Sequence, residues 1–187
     1  MADFAAMIAG LGNPGAKYAK NRHNAGMLAF DLLKGRLDGV SKGRRGQSEI
    51  FYSEFLRDDG LKMDVYLARP LSFMNLSGEA IVPALKFYKI PVSRFLVMHD
   101  EIEIPFADIR LKKGGGHKGH NGLRDIIAHL GSADFHRLRI GVGRPDHDDV
   151  ASHVLSNFND DEMGRMDTLL EKSCGIALEW LNLLRVE

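Results

Sequence analysis

Five residues carry most of the chemical potential of this chain: His23, Asp100 and three asparagines, Asn13, Asn75 and Asn121, all in stretches that read as loops or strand ends. No serine or cysteine stands in an obvious nucleophile setting, so the combination points to activation of water. A neutral imidazole can take a proton from water near pH 7. A carboxylate on its other nitrogen fixes the tautomer and stabilises the imidazolium that forms. Asparagine amides both donate and accept, so they can orient a water, hold a carbonyl or support a developing oxyanion. The implied reaction is hydrolysis of an acyl bond. Taken singly, each asparagine is better read as a helix cap or a closed turn, and only the combination points to chemistry.

Two other chemistries are weighed and set aside. His99, Asp100, His117 and His120 could gather around a metal, but His117 and His120 lie in a glycine-rich loop without the helical spacing of a zinc site, so no metal is expected. Gly10-Leu-Gly-Asn-Pro-Gly15 fits a dinucleotide fingerprint, yet the following residues read as irregular chain and the helical period starts only near Asn24. Asp31 has the spacing of a ribose-binding acid but lies on a helix flank. No cofactor is expected.

These residues must be positioned by strands and helices. An apolar run at 5–9 predicts a buried strand leading into the loop 10–24, and Met27, Phe30, Leu33 and Leu37 predict a helix over 24–37. Residues 41–47, Ser-Lys-Gly-Arg-Arg-Gly-Gln, read as a mobile surface loop. Strands are expected at 49–56 and 63–68, joined as a hairpin through Asp58-Asp-Gly60. A helix through Ala80, Leu85 and Tyr88 is expected to be capped by Asn75 or Ser77. A parallel strand is expected at 94–98, ending at His99-Asp100, and another strand at 107–112. A glycine loop over 114–122 would serve as a lid hinge, followed by a helix over 123–130 capped by Asn121. A strand at 137–142 would have a basic face, an acidic loop would span 146–149, and a long helix would run from Asp160. This order predicts a single-domain α/β sandwich over 1–187, a central mixed sheet covered by helices on both faces.

The 187 residues, 44% hydrophobic and 27% charged, suffice for one globular core. Neither a signal peptide nor a membrane span is read, and a cytoplasmic location is expected. The one cysteine, Cys174, falls among Leu170, Ala177 and Leu181 and is expected to pack in the core. Net charge is zero, but residues 1–143 carry 21 Lys and Arg against 15 Asp and Glu, whereas residues 144–187 carry 4 against 10. A neutral protein can therefore still present a basic face to phosphate, and Lys112, Lys113, Lys118, Arg137 and Arg139 are expected to form it.

Five ordered motifs together resemble the bacterial-type peptidyl-tRNA hydrolase family: Gly10-Leu-Gly-Asn-Pro-Gly15 with Tyr18 and Arg22-His-Asn24; Pro70-Leu-Ser-Phe-Met-Asn75; His99-Asp100; Gly114-Gly-Gly-His-Lys-Gly-His-Asn-Gly122; and Phe135 to Pro145. The resemblance spans the chain from residue 8 to the last helix. It implies that His23 activates water to cut the ester between a peptide and the 3′ ribose of tRNA, with Asp100 stabilising the basic form. It further implies that Asn13 distinguishes blocked from free aminoacyl esters, that Tyr18, Phe73, Asn75 and Asn121 contact the substrate with Met74 beside them, and that Lys112 and Arg139 contact tRNA phosphate. A monomer without cofactor is implied. Three departures are visible: the family usually has Asp where Glu101 stands, glycine where Lys118 stands, and Pro-Gly near Phe106-Ala107. Some relatives of the fold serve as non-catalytic RNA-binding splicing factors, which is the alternative function.

Overall fold

Strand β1 (Ala5–Gly10) alternates between two cores: Ala6 and Ile8 enter one apolar cluster, Met7 and Ala9 the other. That period-2 division is what a strand covered on both faces requires. In the computed structural model, which describes residues 4–145 and 149–185, β1 lies at the centre of a seven-stranded sheet of order β2-β3-β4-β1-β5-β7-β6. The other strands are β2 (Ser41–Arg45), β3 (Ser48–Leu56), β4 (Lys62–Pro70), β5 (Phe95–Glu101), β6 (Ile109–Lys113) and β7 (His136–Gly141). The inner four, β4-β1-β5-β7, run parallel, while β2, β3 and β6 pair antiparallel. The mixed sheet of the sequence reading is therefore present.

Helices α1 (Ala25–Arg36) and α6 (Met166–Leu183) place Phe30, Leu33, Leu169, Trp180 and Leu181 against Ile8, Leu96, Met98 and Leu138. On the opposite face, α2 (Ser77–Phe87) and α3 (Asn121–Leu130) place Ile81, Leu85, Leu123 and Ile126 against Met7, Phe95 and Val97. Each fully buried Leu, Ile or Phe stabilises the fold by roughly 1.5–3 kcal/mol relative to exposure. Cys174 is buried in the first cluster, as expected.

Several local readings are corrected. Residues 41–45 are not a loop but edge strand β2, whose five residues are all exposed; pairing with β3 outweighs their polar, glycine-containing composition. Neither Asn75 nor Ser77 caps α2. Asp125, on α3, reaches across and accepts from Gly78 N–H (2.7 Å) and Glu79 N–H (3.1 Å), so the cap comes from a neighbouring helix. The cap of α3 is His120, not Asn121: its Nδ1 accepts from Leu123 N–H at 3.3 Å. The final helix is divided at Arg165 into α5 (Asp160–Gly164), closed by an Asn159–Glu162 capping box, and α6, and a short helix α4 (Val150–Leu155) precedes them. Of the acidic loop 146–149, residues 146–148 lie outside the described residues, and Asp149 caps α4 through Ser152 N–H.

The parallel strands bring their carboxyl ends to one edge. There β1 leaves at Gly10, β4 at Pro70, β5 at Glu101 and β7 at Gly141. Strand β1 has β4 on one side and β5 on the other, the kind of reversal at which open α/β sheets form ligand crevices. Gly26 makes the crevice tight: a Cβ there would lie 2.1 Å from Met98 O, so only glycine lets the first turn of α1 rest on β5. This contact brings His23 beside Asp100.

Candidate active site

A short 3-10 turn, Arg22–Asn24, precedes α1 and holds His23 nearly buried. Strand β5 runs beyond its apolar core, so His99 and Asp100 are strand residues, 1% and 2% exposed. His23 Nδ1 lies 2.9 Å from both oxygens of Asp100. From the start of α3, His120 Nε2 lies 2.9 Å from Oδ1 of the same carboxylate. Because Asp100 is an acceptor, both nitrogens carry protons. For His120 this agrees with Nδ1 accepting from Leu123 N–H. The tautomer of His23 leaves Nε2 unprotonated, and among the described residues that nitrogen has no hydrogen-bond partner.

Electrostatics follow from this geometry. Burial alone would lower the pKa of His23, but the attraction of Asp100 and its hydrogen bond outweigh it and hold the imidazole above its ordinary value. Burial would raise Asp100, yet His120 and His23, by charge and by hydrogen bond, keep it well below the usual carboxylate range. His99 is pushed down to about 3 by burial, with His120 and Arg137 adding to the effect, and stays neutral. Its Nδ1–H donates to Asp100 C=O at 2.7 Å, fixing the peptide that carries the carboxylate.

A cavity of about 440 Å³ opens over these groups. It is lined by His23, Asp100, Lys112, His120, Asn121 and Arg139 among others, and no Ser, Thr or Cys is among its lining residues. The other expected residues stand apart from that cavity. Asn13 borders a separate hollow of about 310 Å³ with Pro14, Gly15 and Pro70. It receives its place from Asn24, whose Oδ1 accepts from Asn13 N–H (2.9 Å) and whose Nδ2 donates to Asn13 C=O (3.0 Å). Asn13 Oδ1 in turn accepts from Met74 N–H at 2.8 Å, tying the loop after β1 to the one after β4. Met74 is buried, Phe73 and Asn75 are exposed, and Tyr18 meets Phe73 edge-on with ring centroids 6.2 Å apart.

The basic face is smaller than expected. Arg137 is 3% exposed and donates to the carbonyls of Gly115, Gly116 and Ala133, so it pins the glycine loop and presents no charge outward. Arg139 reaches the cavity but pairs with Glu101 at 3.0 Å.

His120 entered the sequence reading only as a possible metal ligand, and the structure makes it a second partner of Asp100. Its position just before a predicted helix was the available signal. Arg22 was read only as part of a motif, with no role of its own. Its guanidinium forks onto Glu162 (Nη2 to Oε2, 2.7 Å) and donates to Ser156 Oγ and Asn157 C=O, fastening the His23 turn to the segment between α4 and α5. Nothing local in a sequence announces a partner 140 residues away.

His23, Asp100 and His120 offer ligand atoms within 4.8 Å of one another, enough to hold a cation with three ligands. The nitrogens facing the carboxylate already carry protons, and a metal bound by them would displace both. The set fits a hydrogen-bonded proton network better.

With no Ser, Thr or Cys among the residues lining the cavity and an imidazole whose outer nitrogen can accept a proton, fold and site suit a hydrolase of mixed α/β architecture with water as the nucleophile. The family model described as Peptidyl-tRNA hydrolase matches residues 7–185, and the chain belongs to that family. It is 46% identical over 168 residues to the peptidyl-tRNA hydrolase of Citrifermentans bemidjiense, covering 89% of this chain and 85% of that one. To the enzyme of Frankia casuarinae it is 47% identical over 166 residues, covering 88% and 82%. The crystal structure of peptidyl-tRNA hydrolase from Acinetobacter baumannii superposes with a TM-score of 0.79 at 36% identity, covering 99% of this chain and 97% of that one.

Proposed function

We propose that this chain hydrolyses the ester between a peptidyl or otherwise N-blocked aminoacyl group and the 3′ ribose of tRNA, with His23 as general base. His23 Nε2 takes a proton from water as the oxygen attacks the ester carbonyl. The tetrahedral oxyanion collapses, the bond to the 3′ oxygen breaks, and the imidazolium returns its proton to that oxygen. The products are a peptide acid and reusable tRNA. Asp100 holds the tautomer and stabilises the imidazolium, and His120 shares the carboxylate.

The observation that carries this reading is the pairing of His23 Nδ1 with Asp100 at 2.9 Å beside an open cavity. The remaining roles follow the family resemblance. Asn13, whose Oδ1 is occupied by Met74 N–H, offers its amide donors to distinguish blocked esters; Tyr18, Phe73, Asn75 and Asn121 contact the substrate beside Met74; Lys112 and Arg139 meet tRNA phosphate. The chain acts as a cytoplasmic monomer without a cofactor. No helix among the described residues is long and apolar enough to cross a membrane. A non-catalytic RNA-binding role would leave the assembled His23–Asp100 pair without a task.

The deciding experiment is single-turnover hydrolysis of N-blocked aminoacyl-tRNA by the wild type and His23→Ala. The variant should lose roughly 100- to 10,000-fold in rate while binding tRNA nearly as before. Retention of more than about half the wild-type rate would remove His23 from the role of base.

A further inference from the structure

We propose that Lys118 is an additional phosphate-contacting residue of this chain, placed over the catalytic cavity by a turn that glycine would occupy without strain. The inference rests on the tRNA-ester reading above and adds a substrate contact to it.

The turn is closed by His120 N–H donating to His117 C=O at 2.9 Å. Its two central residues, Lys118 (φ 46°) and Gly119 (φ 84°), both have positive φ, the type I′ pattern that favours Gly, Asn and Asp. A lysine at the first central position is disfavoured by contact of its Cβ with the backbone. His117 Nδ1 accepts from Gly119 N–H at 3.1 Å and helps hold the turn. Residues kept in such conformations cluster at active sites and ligand clamps.

The location supplies the function. Lys118 lines the same cavity as His23, Lys112 and Arg139. Arg139 is paired with Glu101 and Arg144 with Glu103, whereas Lys118 and Lys112 form no ion pair among the described residues. Lys118 is exposed, and its charge is felt at Glu103, whose carboxyl is held low chiefly by the Arg144 hydrogen bond with Lys118 contributing. Two ammonium groups that form no ion pair among the described residues, both lining one cavity, favour a polyanion there. For a substrate that is an RNA ester, the matching group is a backbone or terminal phosphate.

The test is the salt dependence of tRNA binding and of KM for N-blocked aminoacyl-tRNA, measured for wild type, Lys118→Gln, Lys118→Gly and Lys118→Arg. Removing one phosphate contact should flatten the plot of log affinity against log salt by about 0.7–0.9 unit. Lys118→Gln and Lys118→Gly should both show this, and Lys118→Arg should keep the wild-type slope. If the residue matters only through its backbone, Lys118→Gly alone would change behaviour, with a higher Tm, and Lys118→Gln would keep the wild-type slope. That outcome overturns the proposal. A wild type whose tRNA binding ignores salt would overturn the phosphate reading of the whole cavity. A salt-dependent wild type matched by Lys118→Gln would remove Lys118 alone.

Discussion

His23 Nδ1 stands 2.9 Å from each oxygen of Asp100, with the carboxylate 2% exposed. A buried carboxylate facing an imidazole raises the proton affinity of the ring, and here that effect exceeds the opposing cost of burial. With His23 as the proposed base, its neutral form is the active one, so hydrolysis should rise with pH through a pKa held above the ordinary imidazole value. Asp100→Asn removes the attraction and leaves the burial. The acid limb of the kcat profile should then move to lower pH while the plateau rate falls at least about 100-fold, since the tautomer is no longer fixed. An acid limb that stays in place would show that Asp100 does not govern His23. Full activity after exhaustive chelation would exclude a metal at the same three residues.

The pair also links stability to pH, with opposite signs for its members. Asp100 is depressed, so its contribution is present above its unfolded value of 3.8 and disappears as pH falls below that through the folded value. His23 is raised, so its contribution is complete below 6.5 and fades as pH rises through the folded value. Denaturant midpoints of the wild type, measured from pH 3 to pH 9 and compared with those of Asp100→Asn, should show both losses in the wild type only. Parallel curves would mean that the pair contributes no pH-dependent stability.

Phe106 and Ala107, where the family usually has Pro-Gly, have a structural explanation. Asp108 N–H donates to Pro105 C=O at 3.1 Å, and Ala107 has φ 72°, so the segment turns with positive φ at its third position, where glycine fits best. Proline would suit the second position, but Phe106 there packs against Phe158, with ring centroids 6.0 Å apart, and lies under Arg165. Ala107→Gly should therefore raise stability by about 1 kcal/mol, reading as a higher Tm with unchanged denaturant slope. A lower Tm would mean that the left-handed conformation is not costly here.

Much of this arrangement was legible from the sequence because it is local or periodic. The hairpin of β3 and β4, the parallel β5 and the alternating β7 follow from patterns of apolar residues. What was not legible depends on partners distant in sequence. Strand β2 has no apolar face of its own and is defined by β3; Asp125 caps a helix 46 and 47 residues away; Arg137 looks like a surface cation until the glycine-loop carbonyls close around it. His23, Asp100 and the asparagines could be proposed from residue type. The sharing of one carboxylate by His23 and His120 could not, because it needs β5 and the start of α3 to meet.

Lys112 and Arg139, from antiparallel strands β6 and β7, line the same cavity as His23, and the proposed function assigns them to tRNA phosphate. Arg139 is partly neutralised by Glu101, whose other oxygen accepts from Glu103 N–H at 3.1 Å, so Lys112 is expected to carry the larger share of the attraction. Changing both to Ala should raise KM for full N-blocked aminoacyl-tRNA by about 10-fold or more, and flatten its salt dependence by roughly two contacts. For a minimal ester without the acceptor stem the loss should be clearly smaller, because the phosphates that the two side chains would hold are missing. The single variants separate the shares, with Lys112→Ala expected to cost more than Arg139→Ala. Equal losses on both substrates would point to damage in the cavity, and a KM unchanged on the full substrate would leave the two cations without a place in tRNA recognition.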